Sequence, residues 1–233
     1  MATKDQLAKR AFQAFFVVTA LNLLAEVISS PMLIYLSKPL LMVTLGLAFF
    51  WSVSAQTRFT RLILLGLFFS WGGDVLLMLV NLRGEGYFVL GLASFLMAHV
   101  CYITAFWGQV ESGKGWLKKH PWLLAPFLIY LAGLTFWWWN DLGALRIPVS
   151  LYSAVIITMG LSALNLKGSI RERALILLVS GAMLFILSDS MIAINKFKHP
   201  FPAAHLWIMI TYLAAQYGIA GAGIAINQEK EAA

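Results

Sequence analysis

Charge is scarce in this chain. Asp, Glu, Lys and Arg make up 12% of its 233 residues, against roughly a quarter in an ordinary soluble domain. Beside 61% hydrophobic residues, that scarcity excludes a globular fold wrapped in a charged surface. Cysteine is nearly absent too: the single Cys101 lies inside a hydrophobic run, so neither an intrachain disulfide nor a cysteine metal cluster can form. Four histidines without an HExxH pair offer little to a bound metal, and no cofactor motif stands out. Acidic residues are outnumbered, giving a net charge of +7, yet the basic residues are scattered through short loops. A nucleic-acid surface gathers them on one face, so a nucleic-acid partner is not expected. Also missing is any polar block long enough to fold as a separate soluble domain.

What remains is apolar sequence in long runs. A helix needs about 20 mostly apolar residues to cross the hydrocarbon, and such stretches fall at 11–30, 35–55, 62–81, 86–107, 121–139, 146–166, 174–195 and 202–226. The expected fold is an all-α integral membrane bundle of eight transmembrane helices, one membrane domain over 11–226 with tails at 1–10 and 227–233. Twelve of the seventeen Lys and Arg residues fall on the side that holds both termini and the loops near 58–61, 114–119 and 167–173. The positive-inside rule puts that side, with both termini, in the cytoplasm. The run from Ala11 to Ser30 is long enough to span and lacks a small-residue cleavage site, so it is expected to stay as the first helix. The plasma membrane, the inner membrane of a bacterium, is the expected location.

Pro121, Pro148 and Pro202 stand near the first turns of their spans, where a missing N–H costs little. Trp137, Trp138 and Trp139 end the fifth span and read as an interfacial aromatic belt. Ala214, Gly218 and Ala222 form a small-residue ridge on the eighth span, and Gly66, Ser70 and Asp74 continue one on the third. A weak 4+4 internal repeat is suggested by two further parallels. The third and seventh spans both place small residues before an aspartate, and HVCYITAF at 99–106 echoes HLWIMITY at 205–212.

An ionisable residue deep in a span costs about 2.5–3.5 kcal/mol on insertion scales and faces the bundle interior, so it marks a functional site by default. Asp74 and Asp189 qualify. Each lies on the order of 20 Å from the cytoplasmic end of its helix at 1.5 Å per residue, so the two acids are expected at similar depth, facing one cavity that opens away from the cytoplasm. Glu26, Lys38, Asn195, Lys196 and His205 gather near the outer ends, and His99 lies deep in the fourth span. Phe88, Gly91, Phe95, His99 and Tyr102 share one face of that span at three- and four-residue steps, as Tyr212 and Gln216 do on the eighth. Lys196 and Lys198 also suit a plain interfacial role, their heads reaching for the headgroup layer.

Taken together, Lys38-Pro39 opening the second span, Gly73-Asp74, the Gly91, Phe95, His99, Tyr102 face, Ser188-Asp189 with Asn195-Lys196-Phe197, and Tyr212 with Gln216 form a pattern spread over nearly the whole chain. This pattern resembles the YhhN family of membrane proteins, whose animal members are lysoplasmalogenases. The resemblance implies hydrolysis of the vinyl ether bond of a lysophospholipid, a lysoplasmalogen, with Asp74 and Asp189 as the two acids. It implies supporting or substrate-binding roles for Lys38, His99, Tyr102, Ser188, Asn195, Lys196, Tyr212 and Gln216, with no metal and no cofactor. The chemistry suits two carboxyl groups. Vinyl ether cleavage starts by protonating the β-carbon and passes through an oxocarbenium ion, and two acids in one low-dielectric site do not both ionise easily, so one holds a proton at neutral pH. Three rival readings stay open. A transporter would use the same acids as a proton relay, and a metal hydrolase would draw on Asp74, His99, Asp189 and His205. An intramembrane aspartyl protease fits less well, because Trp71 stands where its GxGD motif needs the first glycine.

Overall fold

The computed structural model describes residues 3–231, and the extreme ends of the two expected tails, residues 1–2 and 232–233, lie outside them. Among the described residues there is no strand, and eight helices are long and apolar enough to cross a membrane. They are α1 (Lys4–Val27), α2 (Pro31–Ser52), α3 (Arg58–Met78), α4 (Gly86–Trp107), α5 (Leu124–Trp138), α6 (Arg146–Leu164), α7 (Glu172–Phe197) and α8 (Ala204–Glu231). Boundaries differ from the hydropathy reading where backbone chemistry outweighs hydrophobicity. α1 begins seven residues before Ala11 because Thr3 and Gln6 form a capping box, each side chain serving the other's backbone N–H. α2 begins at Pro31, whose missing N–H suits the first helical position. Lys38-Pro39 therefore lies two turns inside this helix and does not open it.

Three antiparallel hairpins, α1–α2, α3–α4 and α7–α8, are the most closely packed pairs. α6 joins α4 to α7, while α8 also touches α1, α2 and α3, so α3, α4, α6, α7 and α8 enclose the interior. α5 packs on α6 and stands largely outside, with Ile129 and Phe136 among its most exposed side chains. Lipid tails are as apolar as those side chains, so such an outer helix has no drive to retreat inward.

Small residues set the hairpin spacing. A Cβ on Gly181 would stand 2.9 Å from the carbonyl oxygen of Ala215, and one on Gly218 would stand 3.0 Å from that of Leu177. The α7–α8 contact thus runs along Ala215, Gly218 and Ala222, all buried, whereas Ala214 is exposed. The ridge is offset by one residue from the expected one at its outer end. On α3, a Cβ on Gly66 would overlap the ring of Tyr102 and one on Gly73 the ring of Phe95. This ridge does carry Asp74 against a neighbouring helix.

Candidate active site

Asp74 and Asp189 belong to different hydrogen-bond networks. Asp74 is 3% exposed, and its Oδ2 accepts from the Tyr212 hydroxyl at 2.7 Å. One helical turn further toward the end of the bundle that holds the termini, Gln216 Nε2 donates to Ser70 Oγ at 2.8 Å and the Tyr102 hydroxyl donates to Gln216 Oε1 at 2.8 Å. The four-residue steps Ser70 to Asp74 on α3 and Tyr212 to Gln216 on α8 match, so two successive turns are cross-bonded. Each of these buried polar groups is satisfied by another helix, the arrangement a low-dielectric interior requires.

Asp189 has a different set of partners. The Tyr152 hydroxyl donates to Asp189 Oδ2, His99 Nε2 lies 2.9 Å from the same hydroxyl, and His99 Nε2 to Asp189 Oδ2 is 3.5 Å. A hydroxyl has one proton to give. With that proton directed at Asp189 Oδ2, the tyrosine oxygen is left to accept from His99 Nε2–H. His99 is fully buried, and its Nδ1 has no hydrogen-bond partner among the described residues. The ring itself is held edge-on against Phe185, 4.7 Å between centroids.

Phe95, Phe185 and Tyr212 pack edge to face between the two networks, with centroid separations of 5.5–6.3 Å. Asp74 and Asp189 are in electrostatic reach of each other, and Asp74 also feels the charge of Lys38. Lys38 is half-buried on α2 and makes no ion pair or hydrogen bond within the described residues.

An apolar cavity runs alongside, with about 690 Å³ of unfilled space, open mouth included. Its walls come from α4 (Phe88, Leu92, Phe95), α5 (Tyr130, Leu134, Trp138), α6 (Val149, Tyr152, Ile156) and α7 (Asp189, Ala193, Phe197), with Leu77 from α3. The cavity is thus not lined by both acids. Asp189 stands on its wall with a side chain 12% exposed, whereas Asp74 is buried beside it. The reason is rotational: α3 turns its small ridge toward Phe95 and Tyr102, which carries Asp74 to Tyr212 and leaves Leu77 facing the cavity.

The other expected residues divide between network and scaffold. Tyr102, Tyr212 and Gln216 join the Asp74 side. Ser188 donates to the carbonyl of Ile208 and ties α7 to α8, and Asn195 Oδ1 accepts from the backbone N–H of Phe201. Lys196 pairs with Glu85 at 2.7 Å. Glu26 and His205 line a separate outer depression with Phe201 and Leu206. His205 is therefore not part of an assembly with Asp74, His99 and Asp189, and no three His, Cys, Asp or Glu side chains among the described residues are grouped to hold a metal ion.

Two site residues escape the sequence reading. Tyr152 is one of seven tyrosines; its depth in α6, below the usual interfacial tyrosine layer, is the signal available. Trp138 is 2% exposed and lines the cavity, while Trp137 and Trp139 face outward as a belt should. Consecutive positions on a helix point 100° apart, so three adjacent tryptophans cannot all share one face.

The bundle and its site define a class: an eight-span membrane protein with an apolar cavity and carboxyl groups held among its spans. The chain belongs to the YhhN family, whose sequence pattern matches residues 33–223. It is 36% identical over 180 residues to Lysoplasmalogenase TMEM86A of Bos taurus, covering 75% of this chain and 68% of that protein. Against Lysoplasmalogenase TMEM86B of Homo sapiens it is 33% identical over 172 residues, 72% of this chain and 66% of the relative. Against a protein of Mycobacterium tuberculosis named Lysoplasmalogenase, identity is 33% over 134 residues, 55% of this chain and 48% of the relative. No solved structure matches the chain.

Proposed function

We propose that this protein is an intramembrane hydrolase that cleaves the vinyl ether bond of lysoplasmalogens, releasing a fatty aldehyde and glycerophospho-ethanolamine or glycerophospho-choline. The observation that carries this reading is the position of Asp189, a carboxyl group on the wall of a mostly apolar cavity and hydrogen-bonded to a tyrosine that also meets a buried histidine. A single hydrocarbon chain suits such a cavity, and α5, packed on α6 alone among its closely packed neighbours, offers a wall past which a lipid can slide sideways. The names of the relatives support the same substrate class.

In the proposed reaction, Asp189 gives its proton to the vinyl β-carbon. The alkene π pair becomes the new C–H bond, and the remaining cation is shared between the α-carbon and the ether oxygen. Water adds to the α-carbon and returns a proton to the Asp189 carboxylate, which gives a hemiacetal and restores the acid. The hemiacetal then loses its hydroxyl proton as its bond to the glycerol oxygen breaks and that oxygen takes up a proton. Tyr152 and His99 hold the Asp189 carboxyl in one orientation and connect it to a second proton-binding group. In its carboxylate form Asp74 favours the positive transition state from behind the aromatic layer, an electrostatic role that needs no contact with substrate. The division of labour resembles that of carboxylate pairs in glycoside hydrolysis.

Purified protein in detergent, given a lysoplasmalogen and its saturated ether analogue in heavy water, tests the reading by mass spectrometry. Aldehyde is expected from the vinyl ether alone, with one solvent deuterium on its α-carbon at short times, after correction with added unlabelled aldehyde for later exchange. Unlabelled aldehyde, or no aldehyde at all, would sink it.

A further inference from the structure

Four cavity-wall residues, Asp189, Ile192, Ala193 and Phe197, run outward along one face of α7. Lys196 shares that face, because the seven residues from Asp189 make almost two turns and a rise of about 10.5 Å. Its ammonium lies 4.4 Å from the ring centroid of Phe88, another wall residue. A cation therefore sits over the outer end of the cavity. Its partner there is Glu85, whose side chain is 74% exposed, and an ion pair this open to solvent is weak and readily exchanges partners.

The lipid of the proposed reaction carries its own ruler, and this step rests on that reading. Seven bonds separate the vinyl β-carbon from phosphorus: one to the α-carbon, two across the ether oxygen, two through the glycerol carbons and two across the ester oxygen. An extended chain advances about 1.2 Å per bond, since three backbone bonds span at most about 3.3–3.6 Å. Phosphorus thus lies about 8 Å from the protonated carbon and its free oxygens about 10 Å. That matches the backbone rise of about 10.5 Å from Asp189 to Lys196 along α7.

We propose that Lys196 is the phosphate-binding residue for the lipid head group, and that Glu85, displaced from Lys196, takes the head group's ammonium. One protein ion pair is exchanged for two across the interface, and the charges balance for a zwitterionic head. A phosphomonoester head leaves Glu85 unpartnered beside extra negative charge, so it is selected against. The competing cations are placed for other work: Lys198 is paired with Asp141, and Lys38 acts on Asp74. Trp138 adds a second sign of a ligand at this cavity. Its indole N–H is buried and has no hydrogen-bond partner among the described residues, a donor that a ligand oxygen would satisfy.

The test is binding without turnover. Full-length protein in detergent is titrated with a saturated 1-O-alkyl lysophosphoethanolamine, with the matching phosphomonoester and with the bare 1-O-alkylglycerol. Wild type should hold the phosphoethanolamine lipid at least about tenfold more tightly than the alkylglycerol, the scale of one charge-assisted contact. Lys196→Ala should abolish that preference at unchanged alkylglycerol affinity, and Lys196→Arg should retain most of it. Glu85→Gln, which leaves the lysine in place, should keep the phosphate preference and lose the choice of phosphoethanolamine over phosphomonoester. Equal discrimination by wild type and Lys196→Ala overturns the proposal, as does a parallel loss of alkylglycerol affinity. Because no bond is cleaved, a protein that discriminates head groups but never yields aldehyde would refute the hydrolase reading and leave this subsite standing.

Discussion

Asp189 and Asp74 sit in different surroundings, and the difference makes separable predictions at the scale of single residues. Asp189→Asn removes the proposed proton donor at the cavity wall, so kcat should fall by at least about 10³-fold, within the usual range for general acid-base groups, with lipid binding retained. Tyr152→Phe keeps the ring but removes the hydroxyl between Asp189 and His99. A smaller loss of kcat, about 10²-fold, is expected at near-normal KM. Asp74→Asn should cost kcat as well, and the double aspartate variant should be little worse than either single one, since groups that act as a unit lose their effects together. Steady-state kinetics on the four proteins would check this set, and near wild-type turnover in Asp189→Asn would refute it. The acids were legible in the sequence because charge in the hydrocarbon is costly wherever the helix points. Tyr152 was not, because a tyrosine costs little in a membrane and its value depends on the angle at which α6 meets α4 and α7.

At the scale of elements, the tightest point is the crossing of α7 and α8, where Gly181 and Gly218 leave no room for a side chain. Gly181→Val drives methyl groups into the backbone of Ala215 and Ile219 and should destabilise the protein by about 1–3 kcal/mol, read as a lower thermal midpoint in detergent. Activity should suffer further, because the same two helices carry Asp189 and Tyr212. Gly133 on α5 is the matched control: a Cβ there meets nothing within 4 Å, so Gly133→Val should lower stability by less than about 0.5 kcal/mol. An equal loss in both variants would mean that close approach is not what the α7–α8 glycines provide. Hydropathy located all eight helices, most ends within about five residues and the start of α1 seven residues late, because lipid demands the same apolar length of each. Their ends were set by Thr3, Pro31 and other local chemistry that an averaging window blurs.

For the whole molecule, the charge distribution predicts which way the site faces. With twelve of seventeen basic residues on the side of the termini, that side should be cytoplasmic, and the cavity mouth near Lys196 and Asp141 should open to the other. A cysteine at Ser112, with Cys101 replaced by alanine, should resist an impermeant thiol reagent in intact cells, and one at the exposed Asn140 should label readily. The reverse pattern would turn the head-group end of the site toward the cytoplasm.

Composition, run length and the placement of charge were enough to determine a membrane protein of eight helices and to single out Asp74, Asp189 and His99. Each of those properties belongs to one residue or one span and is imposed by the lipid around it. Which hydroxyl meets which carboxyl, that Asp189 and not Asp74 faces the cavity, and that Trp138 turns inward depend on how far each helix is rotated about its axis. That rotation is fixed by where small residues allow backbones to touch, as Gly181 does against α8 and Gly73 against Phe95. Such contacts join positions far apart in the chain, so the tertiary structure alone decided them.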